Sequence, residues 1–412
     1  MPKKALRWVI WLLAALFYFY EFILRVSPSV ILTDLMQKFA LNASQVGILS
    51  AFYLYAYAPM QLPVGLLLDR FGLKLILSIA SVVCGLGTYL FAISPDFTFA
   101  ALGRMLIGGA SAFGFIAMVY VSTHFFSERK RAFLIGLANS IAMLGASCGT
   151  GPVSSVIHSI GWELTFKWFA LFGLILGGLI FWTLRDEKSK SYTSDIKPYP
   201  IKNIITSSNL WINAGIALLF YMTTTAFAGL WGPTYLENVK GFSKEASSYG
   251  MSILFSGWLI GGPLIGLVSD YVRTRTNVIA FGIVGCFVSL SLVMYLNLSL
   301  SLTYLCLFLV GIFSAAELLN FTLAIEMTSL KAKATAAAFT NFLVSCGDAL
   351  IQPFVGFLLD VKWTGGIKEG VRVYSASSYQ FALSVLPIAL LLALFLLRIL
   401  NNRLSKNSTK SL

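Results

Sequence analysis

Hydrophobic residues run along this chain in long blocks, each parted from the next by a short polar or glycine-containing break. A block of about 20 residues, rising 1.5 Å per residue as a helix, crosses a hydrocarbon core of roughly 30 Å. Twelve blocks reach that length, approximately Arg7 to Leu32, Ser44 to Leu68, Leu73 to Ser94, Phe97 to Thr123, Arg131 to His158, Trp162 to Leu184, Leu210 to Leu236, Ser247 to Ser269, Asn277 to Leu296, Leu302 to Met327, Ala334 to Leu359 and Tyr379 to Leu400. Lipid offers the backbone no hydrogen-bond partner, so each block must pair its own amides and carbonyls and is predicted to be a helix. The expected architecture is an all-α membrane protein.

The breaks repeat. Gly65-Leu66-Leu67-Leu68-Asp69-Arg70-Phe71-Gly72-Leu73-Lys74 returns in weaker form as Gly266-Leu267-Val268-Ser269-Asp270-Tyr271-Val272-Arg273-Thr274-Arg275, and both the aspartates Asp69 and Asp270 and the prolines Pro152 and Pro353 are 201 positions apart. Half of 412 residues is close to that offset. Two pseudo-symmetric six-helix halves are therefore expected, over residues 1–184 and 210–412, an organisation typical of solute transporters. Residues 185–209, with the polar run Asp186 to Ser191 followed by Pro198 and Pro200, read as a linker. The other loops are too short to hold an enzyme active site outside the membrane.

Composition agrees: 58% hydrophobic residues and a mean hydropathy of +0.81 exceed what a water-soluble globule carries, and 11% charged residues fall short of it. The net charge of +13 changes the picture only through where the basic residues fall. With the N-terminus inside, cytoplasmic segments hold 21 Lys and Arg and outer segments 7, which predicts both termini in the cytoplasm. Scattered over short loops, these charges do not form a nucleic-acid footprint. No Walker-type Gly-x-x-x-x-Gly-Lys-Ser/Thr loop supports direct ATP use. The five cysteines lie in hydrophobic segments without Cys-x-x-Cys spacing and read as apolar thiols.

An unpaired charge in the membrane costs several kcal/mol, so embedded ionisable residues are functional candidates. Five stand out: Glu21, Arg25, Arg104, Glu317 and Asp348. Glu21 and Arg25 share a helical face that Tyr18 and Ser29 extend. On the eleventh block Asn341, Ser345, Asp348 and Gln352 make a polar stripe, and Asn320 stands one turn after Glu317. If all five ionise, the embedded set sums to −1, which makes one acid a candidate proton carrier. The alternatives are structural: an ion pair of Glu21 with Arg25 or Arg104, and a hydrogen-bonded interhelical contact at Asp348. Tyr53, Tyr55 and Tyr57 alternate and cannot all face one cavity from a helix; Trp211 and Trp231 read as interfacial anchors.

The Gly65 to Lys74 loop, its echo, Glu128-Arg129-Lys130-Arg131-Ala132 and Gly149-Thr150-Gly151-Pro152, taken with the twelve blocks, resemble the major facilitator superfamily over the whole chain. The strings Phe19 to Ser29 and Leu230 to Leu236 look like bacterial nutrient importers, in particular the phagosomal transporters of intracellular bacteria. Two positions depart from related patterns. Ser111 stands where anion–cation symporters place Glu seven residues after the Arg of helix 4, and Ser147 replaces a Gly of the antiporter motif in helix 5, which favours uptake over efflux.

The resemblance implies a monomeric secondary transporter in a bacterial inner membrane, with helices 1, 4, 7 and 10 around a central cavity. Arg25 and Arg104 would hold a substrate carboxylate, with Tyr18, Glu21 and Asn341 beside it, while Glu21, Glu317 or Asp348 carries a coupling proton; no cofactor or metal is expected. Asp69 would cap the N-terminus of helix 11 and Arg70 pair with Glu128 while the cytoplasmic gate is closed, with Asp270 and Arg273 as their echo. The expected solute is a small carboxylate-bearing nutrient, an amino acid, imported with protons. The alternatives are a polycarboxylate or citrate-type siderophore, and, in another class, a non-transporting sensor or scaffold.

Overall fold

The computed structural model describes residues 4–184, 202–329, 332–368 and 370–410. Eleven helices in it are long and apolar enough to span a membrane, and a bent helix makes the twelfth. In chain order they are α1 Leu6–Val30, α2 Ala43–Phe71, α3 Leu73–Ala92, α4 Phe97–Phe125, α5 Phe133–Ile160, α6 Trp162–Thr183, α7 Ser208–Lys240, α8 Lys244–Val272, α9 Arg275–Tyr295, α10 Leu300–Glu326, α11 Thr335–Val361 and α12 Ala376–Ser405. The expected linker, residues 185–209, falls largely outside the described residues. An even number of spans brings both chain ends to one face, here the termini face; the other is the distal face.

Polar residues at the breaks start the helices. Asn42 and Gln45 form a reciprocal capping box on α2, Asp96 accepts from Thr98 and Phe99 N–H on α4, and Ser243, Ser299 and Ser375 cap α8, α10 and α12. Pro59 and Pro63 each remove a backbone donor, and α2 bends by 62° between Gln61 and Pro63. α1 is helical to Val26 and then tightens into a 3₁₀ turn over Ser27–Val30, with Pro28 in its first turn. The block predicted to Leu32 thus ends early, and a short helix, Leu32–Lys38, follows. An antiparallel hairpin, Ile367–Lys368 with Val371–Arg372, lies between α11 and α12; neither it nor the short helix has a sequence signal strong enough to predict.

The repeat extends to packing. α2 meets α4 where a Cβ on Gly108 would strike the Tyr53 backbone, and α8 meets α10 where one on Gly311 would strike the Leu254 backbone. Tyr53 and Leu254 are 201 positions apart, so the same close crossing is built twice. The two sets of six helices meet mainly through α2 against α11 and α5 against α8.

Candidate functional site

The four helices that the resemblance places around the cavity are all irregular, α4, α7 and α10 at mid-span and α1 at its distal end. α1 has its 3₁₀ turn, α4 is interrupted at Ala112, α7 carries a π-helical stretch over Thr223–Trp231, and α10 a 3₁₀ turn over Ala315–Glu317. Broken helices free backbone groups from the regular ladder, and within a membrane that is tolerated where they are buried in protein or line a cavity.

At this level a cleft is lined by Phe22, Arg25, Ser50, Tyr53 and Arg104 from one half and by Tyr221, Thr224, Thr225, Phe255 and Gln352 from the other, among other residues. Arg25 reaches across the halves: its Nη2 lies 3.4 Å from Asp348 Oδ2. Its guanidinium sits 5.4 Å from the Phe22 ring centre, 5.9 Å from Tyr53 and 5.4 Å from Tyr57. Aromatic faces stabilise a cation without neutralising it. One oxygen of Asp348, Oδ1, is buried without a hydrogen-bond partner. This charged pair is held by a single contact, which leaves one carboxylate oxygen of Asp348 unused.

Arg104 is used differently. Its Nη1 donates to the Leu24 carbonyl at 2.9 Å and its Nη2 to the Ser50 carbonyl at 3.3 Å, tying α4 to α1 and α2. Tyr53 lies against both arginines, its ring centre 5.9 Å from the Arg25 guanidinium and 5.0 Å from that of Arg104. In this conformation, however, the fork of Arg104 is spent on the backbone, and the free guanidinium edge belongs to Arg25. Glu21 is fully buried and bonded to neither arginine: its Oε2 accepts from Tyr53 Oη at 2.8 Å and its Oε1 has no partner. The predicted alternative of a Glu21–arginine ion pair is therefore replaced by a carboxyl–phenol bond, because Tyr53 stands between.

The wall from the other half is neutral. Gln352 Nε2 donates to the Thr225 carbonyl at 3.3 Å within the π-helical stretch, and Trp231 Nε1 donates to the Gln352 carbonyl at 3.1 Å. Since a carbonyl can only accept, the amide is oriented by Thr225, and Gln352 Oε1 is left as an unpaired acceptor. Trp258 Nε1 donates to Thr224 Oγ1 at 3.0 Å, which leaves the Thr224 hydroxyl hydrogen free to donate.

Other predicted residues lie near this cleft but outside its lining. Tyr18 packs edge-on against Phe22 with ring centres 5.2 Å apart, and Asn341 bonds Gln61 across the halves. Glu317 is buried at the α10 turn without a partner for Oε1, with Asn320 Nδ2 donating to its backbone carbonyl at 3.0 Å. Sequence reading missed Tyr53, Tyr57 and Tyr221. Tyr53 and Tyr57 stack at 5.8 Å over Arg25 because they are four apart, a spacing hidden by the alternation with Tyr55, which is exposed. Trp231 was expected at an interface and is instead buried at 1% exposure, held by its bond to Gln352.

The gating contacts expected for a closed cytoplasmic gate are not made in this conformation among the described residues. Asp69 is exposed and makes no hydrogen bond among the described residues, Arg70 stacks on Phe71 at 5.2 Å, and Glu128 pairs with Arg131 at 3.5 Å on its own helix instead of with Arg70. In the echo, Asp270 pairs at 2.7 Å with Arg275, which also reaches Glu326 at 3.3 Å. Arg273 ends α8 in the left-handed conformation, φ 58°, and Arg275, at the start of α9, is the arginine that meets Asp270.

Two six-helix sets around a charged cleft lined from both sides define the class of secondary transporters. A model of the Major Facilitator Superfamily matches residues 10–352, and the chain belongs to that family. It is 24% identical over 387 residues to an uncharacterised transporter, YybO, of Bacillus subtilis, covering 86% of this chain and 88% of that one. It is 24% identical over 388 residues to the hexuronate transporter of Escherichia coli, covering 87% and 88%. Its fold matches that of a bacterial homologue of the human lysosomal transporter Spinster, solved inward-facing and occupied, with TM-score 0.81, 18% identity and coverage of 97% of this chain and 98% of that one. The protein is thus a multi-pass membrane transporter of small molecules and not an enzyme.

Proposed function

We propose that the chain imports a small hydroxylated carboxylate, with Arg25 as the carboxylate site and Asp348 as the proton-coupling group. The observation that carries this reading is the Arg25–Asp348 pair across the halves. A substrate carboxylate binds a guanidinium best through two parallel hydrogen bonds, so it competes with Asp348 for the same edge. The pair alone is neutral; a substrate anion would leave one uncompensated negative charge in a buried site. Taking up one proton on the displaced Asp348 restores neutrality, and substrate and proton are then bound together.

The opposite wall supports a hydroxylated solute. Gln352 Oε1 accepts and Thr224 Oγ1 can donate, which suits hydroxyl groups beyond the carboxylate. A relative that carries hexuronates agrees with this. An amino acid is the second reading, favoured by the unpaired oxygens of Asp348 and Glu21, which would accept from an ammonium. The excess of Lys and Arg in segments on the termini face supports a cytoplasmic position for that face in a bacterial inner membrane, so that an inward proton gradient drives import. Proteoliposome uptake of uronates, simple hydroxy acids, amino acids and citrate under an imposed pH gradient tests the proposal. Gradient-driven uptake of a hydroxylated monocarboxylate, strongly reduced in Arg25→Lys, is expected; uptake of amino acids alone selects the second reading, and no carboxylate uptake overturns both.

A further inference from the structure

The first turn of a helix leaves four N–H groups without partners inside the helix. In α2 the chain supplies only part of what is needed. Gln45 N–H goes to the Asn42 side chain at 2.9 Å and Asn42 N–H to the Gln45 side chain at 2.9 Å. The other two are satisfied from the opposite half. Asp360, at the distal end of α11, accepts from Ser44 N–H at 2.8 Å and Ser44 Oγ at 2.6 Å through Oδ2, and from Ala43 N–H at 3.3 Å through Oδ1. Tyr374, after the distal hairpin, accepts from Ala43 N–H at 3.0 Å and donates to Asp360 Oδ1 at 2.6 Å. Arg372 lies 3.3 Å from the same oxygen.

We propose that Asp360, Tyr374 and Arg372 form the latch of the distal gate: a helix cap supplied by one half to the other, complete only while that gate is closed. Three features favour a latch over a surface contact. The Asp360 carboxylate is 14% exposed, so its bonds are shielded from water. It sits at the positive end of the α2 dipole, where a carboxylate is stabilised. Burial raises the Tyr374 phenol above its ordinary value, keeping it neutral so that it can accept from Ala43 and donate to Asp360 at once. The helices also touch at the backbone here, since a Cβ on Gly47 would lie 2.8 Å from the Gln352 carbonyl and one on Gly356 would strike Ala43. Opening the distal face must separate these elements, and it breaks the bonds to Ala43 and Ser44 together while Tyr374 and Arg372 stay with Asp360 in their own half. On the α5/α8 side the closure is made by Lys244 with Asp34 at 2.8 Å and Ser155 with Glu245 at 2.8 Å, both pairs more exposed. The latch does not depend on the identity of the solute.

The test is a spin-label distance measurement on the full chain, in a cysteine-free background, between labels at Ser159 and Ser301, which are exposed at the distal ends of α5 and α10. Asp360→Asn should raise the ratio of distal-open to distal-closed populations about tenfold, the scale of one lost charge-assisted helix-end interaction. Ser44→Ala and Tyr374→Phe should raise it less, and Asp360→Glu should restore part of the closed population. Asp96→Asn, which removes a carboxylate cap lying wholly within one half, should leave the ratio unchanged. Should Asp360→Asn fail to fold, Tyr374→Phe and Ser44→Ala decide alone. Unchanged distributions in the latch variants, or an equal shift in Asp96→Asn, overturn the proposal.

Discussion

Replacing Arg104 by Lys separates the two arginines. The Arg104 guanidinium spans two carbonyls on different helices, Leu24 on α1 and Ser50 on α2, and lies 5.0 Å from the Tyr53 ring. A lysine ammonium keeps the charge but cannot present the same fork, so one of the two carbonyls loses its donor. A buried group left without its hydrogen bond costs about 1–3 kcal/mol, and a weakened cation–π contact adds roughly 0.5 kcal/mol. Arg104→Lys should therefore lose about 2 kcal/mol of stability in reversible unfolding in mixed detergent micelles, while the affinity for a transported carboxylate changes by less than about threefold, under 0.7 kcal/mol. Arg25→Lys should do the reverse: near wild-type stability, with affinity weakened roughly tenfold or more by loss of the bidentate edge. Wild-type stability in Arg104→Lys together with a tenfold loss of affinity would refute the assignment and make Arg104 a substrate ligand.

Gln352→Leu removes the acceptor on the neutral wall and should weaken hydroxylated acids about tenfold, with an unhydroxylated carboxylate of the same length nearly unaffected; equal losses for both, in competition uptake, would remove Gln352 from recognition. Tyr53→Phe leaves Glu21 Oε2 without its donor and should cost about 1–3 kcal/mol in the same unfolding assay, and no loss would show that the buried carboxyl needs no phenol. Asp69→Asn removes a helix-end charge interaction of roughly 0.3–2 kcal/mol from the state in which the termini face is closed, and should shift the population toward the distal-closed state. Labels on the termini-face ends of α4 and α10 report this, and an unchanged distribution would sink a role for Asp69.

The spans were legible because a membrane imposes a length and forbids unpaired backbone, and these constraints leave a long apolar run in the sequence. The repeat was legible through short motifs in its loops, and the embedded charges through their cost. What periodicity could not show was which partner each charge takes. Arg104 and Arg25 look alike as intramembrane arginines, yet one is closed by two carbonyls and the other by a carboxylate from the opposite half, a pairing 323 positions apart in sequence. Tyr53 and Tyr57 were obscured by an intervening exposed Tyr55. Asp360 drew no notice because a carboxylate at a helix C-terminus is unfavourable for its own helix, and its role is explained only by the α2 terminus that it meets across the interface.

The central claim is that a substrate carboxylate and a proton enter the same site because the substrate displaces Asp348 from Arg25. Calorimetric titration of the purified protein with a transported carboxylate, repeated in buffers of different ionisation enthalpy, counts the protons bound with it. About one proton per substrate is predicted for the wild type by the linkage of binding to charge, and none for Asp348→Asn, which should still bind the substrate. An unchanged proton count in Asp348→Asn, or binding by the wild type with no proton uptake at all, would contradict it.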